Sequence, residues 1–167
     1  MKFRKMMGVT AAFLCAALAL SGCGSTDETA YRIGIVQQDE HSSLDAATQG
    51  FEDKLMELLG EENVTFDYQN AQGEQANCTT IATKFVSDGC DLILANGTTA
   101  LQSAAAATAD IPIVGTSVTD YIAAGAVNSN EKPGRNVTGV SDLAPVDQQI
   151  QLLISRRPSG LRKTNKA

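Results

Sequence analysis

Short apolar runs alternate with amphipathic helical patterns along residues 31–142, and this alternation limits the possible fold more than any other feature. The predicted strands are 31–36, 63–69, 90–96, 111–117 and 136–142, and the predicted helices are 44–60, 74–89 and 98–110. The run CDLILAN is almost wholly apolar, which is typical of a central strand in a parallel sheet. Strands separated by helices predict parallel pairing through crossover connections. We therefore expect an α/β fold with a doubly wound parallel sheet.

The predicted helices have recognisable faces and ends. The apolar face of the first helix consists of Leu44, Ala47, Phe51, Leu55 and Leu58, and that of the second of Cys78, Ile81, Ala82 and Phe85. Ser42 with Asp45 predicts a loose capping box at the start of the first helix, and Gly60 predicts its end. Thr98 is the predicted N-cap of the third helix.

Three polar segments follow predicted strands, at 37–43, 96–99 and 115–120. In a doubly wound sheet, ligands bind outside the carboxyl ends of the strands, where helix N-termini can also direct N–H groups at them. A single polar loop at such a place is explained equally well by helix capping. Three such loops at one rim favour a binding crevice.

Charge and motif content argue against several classes of function. All 19 acidic residues but only five basic ones lie in 24–153, a net formal charge of −14, which disfavours a nucleic-acid partner. The sequence lacks the glycine-rich phosphate motifs and the G-x-S-x-G elbow. A Ser/His pair through His41 is conceivable, but no serine is marked as a nucleophile. Asn96 stands where a receiver-like phosphorylation site would have aspartate. We expect no catalysis, metal or cofactor.

The N-terminus predicts export and lipid anchoring. Residues 1–22 combine an early positive charge with a short apolar stretch, as a signal peptide does. LSGC at Leu20 to Cys23 resembles the bacterial lipobox, in which the cysteine is diacylated and becomes the new N-terminus. Residues 23–30 would then form a tether. The alternative is an ordinary signal peptide with a chance cysteine. The lipid reading places the protein on the outer face of the cell membrane, or on its periplasmic side in a Gram-negative cell.

Two cysteines, Cys78 and Cys90, remain in the body of the chain. A pair of cysteines in an exported protein invites a disulfide. However, twelve helical residues rise about 18 Å, whereas the Cα atoms of a disulfide lie roughly 4.4–6.8 Å apart. We expect two buried free thiols.

Several motifs in order resemble one family. IGIVQQDEHSSLDAATQGFEDKL is similar to the first strand and helix of substrate-binding lipoproteins of ABC transporters, in the branch that often binds aromatic amino acids. DLILANGTTALQ, IPIVGTSVTDYIAAGAV and PGRNVTGVSD match later parts of that family, the last most specifically. The chain departs from the family pattern where Ser42 replaces proline after His41, and where Tyr121 follows Asp120. The resemblance covers about 31–153.

The resemblance implies a type I periplasmic-binding-protein fold with two lobes. Residues 31–142 would be the first lobe, and 143–153 the start of a second that is missing beyond this point. Residues 154–167 carry five basic residues and no acid, and we interpret them as an aberrant tail from a frameshift or disrupted gene. The alternative is a complete protein with a divergent end. The implied function is capture of a small molecule, such as an amino acid, for an ABC permease.

The rim residues are the candidates for binding such a ligand. The candidate ligand-binding residues are Glu40, His41, Asn96, Thr98, Thr99, Thr116, Ser117 and Asp120. Asp120 would meet a ligand ammonium group, although it could instead cap a short turn around Tyr121. The hydroxyl groups, and the backbone amides after Asn96 and Thr116, would serve a carboxylate, while Glu40 and His41 would close over the ligand. Two other functions stay open, a small flavodoxin-like enzyme and a lipid-anchored surface interaction protein.

Overall fold

The computed structural model describes residues 30–156 and confirms the predicted fold class. The strands are β1 (Tyr31–Gln37), β2 (Val64–Asn70), β3 (Leu92–Asn96), β4 (Ile113–Val118) and β5 (Val137–Ser141), and the helices are α1 (Ser42–Leu59), α2 (Gln75–Ser87), α3 (Thr98–Ala107) and α4 (Val146–Ser155). Every strand and helix predicted between 31 and 142 is present, with ends shifted by a few residues. No helix in the described range is long and apolar enough to cross a membrane.

The five strands form one sheet in the order β2-β1-β3-β4-β5, and all neighbouring pairs are parallel. The chain passes from β1 outward to β2 and then returns across β1 to β3. Helix α1 packs on one face of the sheet, and α2 and α3 pack on the other. The direction of strand addition therefore reverses between β1 and β3, and crevices for ligands form at such switch points.

The period-2 alternation of β1 divides its side chains between two cores. Ile33 and Ile35 face α1, whereas Val36 lies in the larger core beneath α2 and α3. Gly34 lies under the ring of Phe85, where an added Cβ would be 2.6 Å from the ring Cγ. A glycine inside this apolar strand is therefore required by the close approach of α2.

Both predicted helix N-caps are wrong by one residue. His41 caps α1, because its Nδ1 accepts a hydrogen bond from Ser43 N at 3.2 Å and so replaces the expected capping box. Gly97 precedes α3, and Thr98 is the first helical residue. Gly97 has a φ of 110°, which only glycine adopts readily, so the chain turns one residue earlier than the threonine suggested.

Two other predictions concern burial. The thiols of Cys78 and Cys90 are free and buried, as expected. The pKa of each is raised, chiefly because burial disfavours the thiolate. Leu58, by contrast, is 65% exposed rather than part of the buried face of α1. Periodicity indicates the side of a helix on which a residue lies, but not whether the sheet extends beneath its last turn.

Candidate functional site

The carboxyl ends of β1, β3 and β4 lie side by side. Gln37 is in register with Asn96, and Asn96 is in register with Thr116. Two further backbone bonds continue this ladder into the loops, from Gln38 N to Asn96 O at 2.9 Å and from Gly97 N to Thr116 O at 3.0 Å. The three predicted polar segments therefore begin at one edge of the sheet, which we call the rim.

A buried polar network ties the rim to α1. Thr48 Oγ1 donates to Gln37 Oε1 at 2.8 Å, and Asn96 Nδ2 donates to Thr48 Oγ1 at 3.0 Å and to Leu44 O at 2.7 Å. Gln37 Nε2 donates to Asp45 Oδ1 at 2.7 Å. Asn96 Oδ1 is the one buried side-chain oxygen or nitrogen without a partner among the described residues. Since Asn96 is fully buried, its side chain supports the rim from within.

The first loop of the rim carries Glu40 and His41, which are both exposed. The backbone N of Glu40 donates to Asp39 Oδ1 at 2.8 Å. The Glu40 carboxylate makes no hydrogen bond or ion pair within residues 30–156. His41 Nδ1 lies 2.8 Å from Ser43 Oγ, so the Ser/His pair conceived from the sequence exists. The same nitrogen accepts the Ser43 N–H, and the arrangement is that of a helix cap.

Four hydroxyl groups stand at the second and third rim segments. They belong to Thr98, Thr99, Thr116 and Ser117, all of which are half-buried. None of these hydroxyls makes a hydrogen bond within the described part of the chain. Ser117 has a φ of 55°, at an irregularity in the pairing of β4, and left-handed non-glycine residues concentrate at functional sites.

Gln38 is a rim residue that the sequence analysis did not single out. Its Oε1 accepts a hydrogen bond from Thr99 N at 2.8 Å, so its side chain covers the N-terminus of α3. A Cβ at Gly97 would be 2.7 Å from Gln38 Cβ. A glycine directly after β3 was the one feature of the sequence that indicated the close approach of another group to the backbone there.

Asp120 is exposed and shows the alternative role considered from the sequence. Its Oδ1 accepts hydrogen bonds from Ile122 N and Ala123 N, both at 2.9 Å, so it caps the turn that follows β4. Only this oxygen is engaged by residues 30–156, and the second carboxylate oxygen remains for other partners.

Tyr121 joins β4 to β5 just below the rim. Its hydroxyl donates to Val140 O at 3.0 Å, and its ring tip lies against Gly115 and Gly139. The pKa of Tyr121 is raised, mainly because the ring is buried. We call Tyr121, Gly115 and Gly139 the tyrosine clasp.

Two further expectations concern metals and lipid. The described residues contain no group of three or more His, Cys, Asp or Glu side chains that could hold a metal ion. The predicted lipidation site, Cys23, lies outside the described residues.

Comparison with known families identifies the chain. The model of the ABC transporter substrate binding protein family matches residues 32–162. This chain belongs to that family. The match extends into the segment that follows α4.

Three known proteins are similar to this chain over most of its length. A tyrosine-binding protein of Clostridioides difficile (strain R20291) is 39% identical over an aligned length of 173 residues. The alignment covers 94% of this chain and 50% of the relative. The ligand-free, open structure of a substrate binding protein with adhesive properties from Clostridium difficile has 45% identity and a TM-score of 0.73, covering 77% of this chain and 44% of that one. The ABC domain of Streptococcus pneumoniae in complex with L-Trp has 38% identity and a TM-score of 0.71, covering 75% and 43%.

The chain thus spans about half the length of the relatives that it matches. The family model's match to residues 32–162 includes all three rim segments of this chain.

Proposed function

We propose that this chain provides one ligand-binding lobe of a lipid-anchored solute-binding protein, which captures an aromatic amino acid for an ABC importer. The match to a tyrosine-binding protein over 94% of this chain carries the proposal. The rim supports it, because its four hydroxyl groups have no partner among residues 30–156. The L-Trp complex of a second relative supports the same ligand class.

The chemistry of the rim suits an amino acid. An α-carboxylate needs hydrogen-bond donors, and the hydroxyls of Thr98, Thr99 and Ser117 have no other partner among residues 30–156. An α-ammonium group needs an anion, and Asp120 offers its free carboxylate oxygen. Binding is the whole activity in this proposal, because His41 serves as a helix cap rather than as a base.

The partners follow from the family and from the N-terminal sequence. Acylation of Cys23 would hold the protein on the outer face of the cell membrane, or on its periplasmic side in a Gram-negative cell. An ABC permease in the same membrane would receive the ligand. A lipid anchor contributes about 0.8 kcal/mol for each buried CH₂ group, so several acyl chains retain the protein firmly.

The binding step can be tested on the 167-residue chain by nitrogen-15 NMR. We expect L-tryptophan to shift the backbone amides of 97–99 and 116–120, with an affinity no better than about millimolar. A site open on one side leaves much of the ligand in water, and losing about 4 kcal/mol converts a micromolar constant into a millimolar one. L-Leucine serves as the aliphatic control. Rim amides that do not move at saturating L-tryptophan would refute the binding function, and a micromolar constant would refute the argument from one open side.

Two variants separate the roles of Asp120. Asp120→Asn keeps an oxygen for the turn but removes the charge, whereas Asp120→Ala removes both. If the second oxygen meets the ammonium group, both variants should lose roughly 1.5–3 kcal/mol of binding, the range for a hydrogen bond to a charged group. Asp110→Asn, an exposed residue that precedes β4 at the opposite end of the sheet, is the matched control. Unchanged affinity in Asp120→Asn would assign Asp120 to the turn alone.

A further inference from the structure

Gln38 follows β1 at the rim, and hydrogen bonds hold both its backbone and its side chain in place. Its backbone N donates to Asn96 O at 2.9 Å, and its backbone O accepts from Gly73 N at 2.8 Å. Its side chain lies against Gly97, which has no Cβ, and ends at Thr99 N. The residue is half-buried and held at both its backbone and its side chain, so its amide group has little freedom.

The hydrogen bond to Thr99 fixes the orientation of the Gln38 amide. A backbone N–H can only donate, so the atom 2.8 Å from Thr99 N must be the carbonyl oxygen, Oε1. The amide nitrogen, Nε2, must therefore face away from the helix. It makes no hydrogen bond to any residue in 30–156, and it is not among the fully buried atoms that lack a partner. Gln38 thus presents an accessible NH₂ group beside the start of α3.

We propose that Gln38 is a specificity-determining residue, whose Nε2 donates to the carboxylate of the bound amino acid while its Oε1 occupies Thr99 N. This inference rests on the proposed function and deepens it. The N-terminus of a helix favours anions. At α3, however, the Thr99 N–H already donates to Gln38 Oε1, so the donor that remains for a carboxylate there is Gln38 Nε2. Gln38 then favours ligands that place a hydrogen-bond acceptor, such as a carboxylate, against its neutral NH₂ group.

The test compares two ligands and two substitutions in the 167-residue chain. L-Tryptophan carries the carboxylate, and tryptamine is the same molecule without it. Gln38→Leu removes both hydrogen-bonding groups. Gln38→Glu keeps an oxygen for Thr99 N, at a position where negative charge is favoured, but replaces the donor by an anion. Gln49→Leu, an exposed glutamine of α1, controls for the substitution itself.

We expect Gln38→Leu to weaken the binding of L-tryptophan about tenfold, which is about 1.4 kcal/mol, and Gln38→Glu to weaken it further. Neither substitution should weaken the binding of tryptamine. Amide exchange at Thr99 should quicken in Gln38→Leu and stay slow in Gln38→Glu, which reports the geometry without ligand. Equal or tighter L-tryptophan binding in Gln38→Leu would overturn the inference, and tighter binding would show that Gln38 competes with the ligand. If the wild-type chain itself binds no L-tryptophan, the proposed function fails and this inference fails with it.

Discussion

The tyrosine clasp allows a quantitative test of how the rim is held. A Gly115→Ala substitution would place Cβ 2.6 Å from the Tyr121 hydroxyl oxygen and 2.8 Å from Cε1, against an optimal carbon–carbon separation of about 3.5–4.0 Å. Tyr121 is 7% exposed and bonded to Val140 O, so its ring cannot move without breaking that bond. Overpacking of this kind costs about 1–3 kcal/mol, and replacing a strand glycine returns roughly 0.5–1 kcal/mol. The difference between these two ranges predicts a net loss of about 0–2.5 kcal/mol, centred near 1 kcal/mol, in the free energy of unfolding, measured by urea denaturation.

Double-mutant cycles identify the cause of that loss. Tyr121→Leu removes the ring tip, so Gly115→Ala should cost at least about 1 kcal/mol less in the Tyr121→Leu background than in wild type. Tyr121→Phe removes only the hydroxyl and keeps Cε1 in place, so the relief should be smaller. Additivity within about 0.5 kcal/mol for the Gly115→Ala/Tyr121→Leu pair would refute the steric argument.

Three other outcomes follow from the sequence and the structure. Hydrogen bonds from Gln69 and Lys84 lower the pKa of Asp67 from its ordinary value of 3.8. The ionised carboxylate therefore stabilises the fold above pH 3.8, and this contribution is lost as the pH falls through the lowered pKa. The difference in unfolding free energy between wild type and Lys84→Met should accordingly become smaller in acid. The two buried cysteines should react with a maleimide only after denaturation, and a native mass lower by two hydrogens would contradict this. Cys23→Ser should move the protein from the membrane fraction to the soluble fraction, and a variant that stays in the membrane after a high-salt wash would disprove lipid anchoring.

The fold could be predicted because its elements differ in hydrophobic period. CDLILAN is almost wholly apolar, and the structure buries most of its residues at the centre of the sheet. The face of α2 was found because Cys78, Ala82 and Phe85 recur at helical spacing, and all three are fully buried. Helix caps were harder, since they depend on one dihedral angle or one ring nitrogen rather than on a repeating pattern.

The position of the rim could be predicted from the sequence, but the role of each rim side chain could not. Topology alone brings the ends of β1, β3 and β4 together. Whether a polar residue there faces inward or outward depends on the alternation of the last strand residues, and Asn96 proves to be fully buried. Asp120 could be assigned two roles from its sequence context, and only its hydrogen bonds to Ile122 and Ala123 establish the capping role.

The pair Gln37 and Gln38 explains why the chain becomes polar so abruptly after β1. Consecutive residues of an extended strand point to opposite faces. Gln37 therefore points toward α1, where it contacts Thr48 and is fully buried, whereas Gln38 reaches Thr99 at the start of α3 on the other face. Two identical side chains thus connect β1 to both helical layers at the rim. An apolar residue at either position could not accept the hydrogen bond that Thr48 donates on one side or that Thr99 N donates on the other. The doublet lets a loop at the switch point be both polar and rigid, and rigidity reduces the entropy that a ligand must remove on binding.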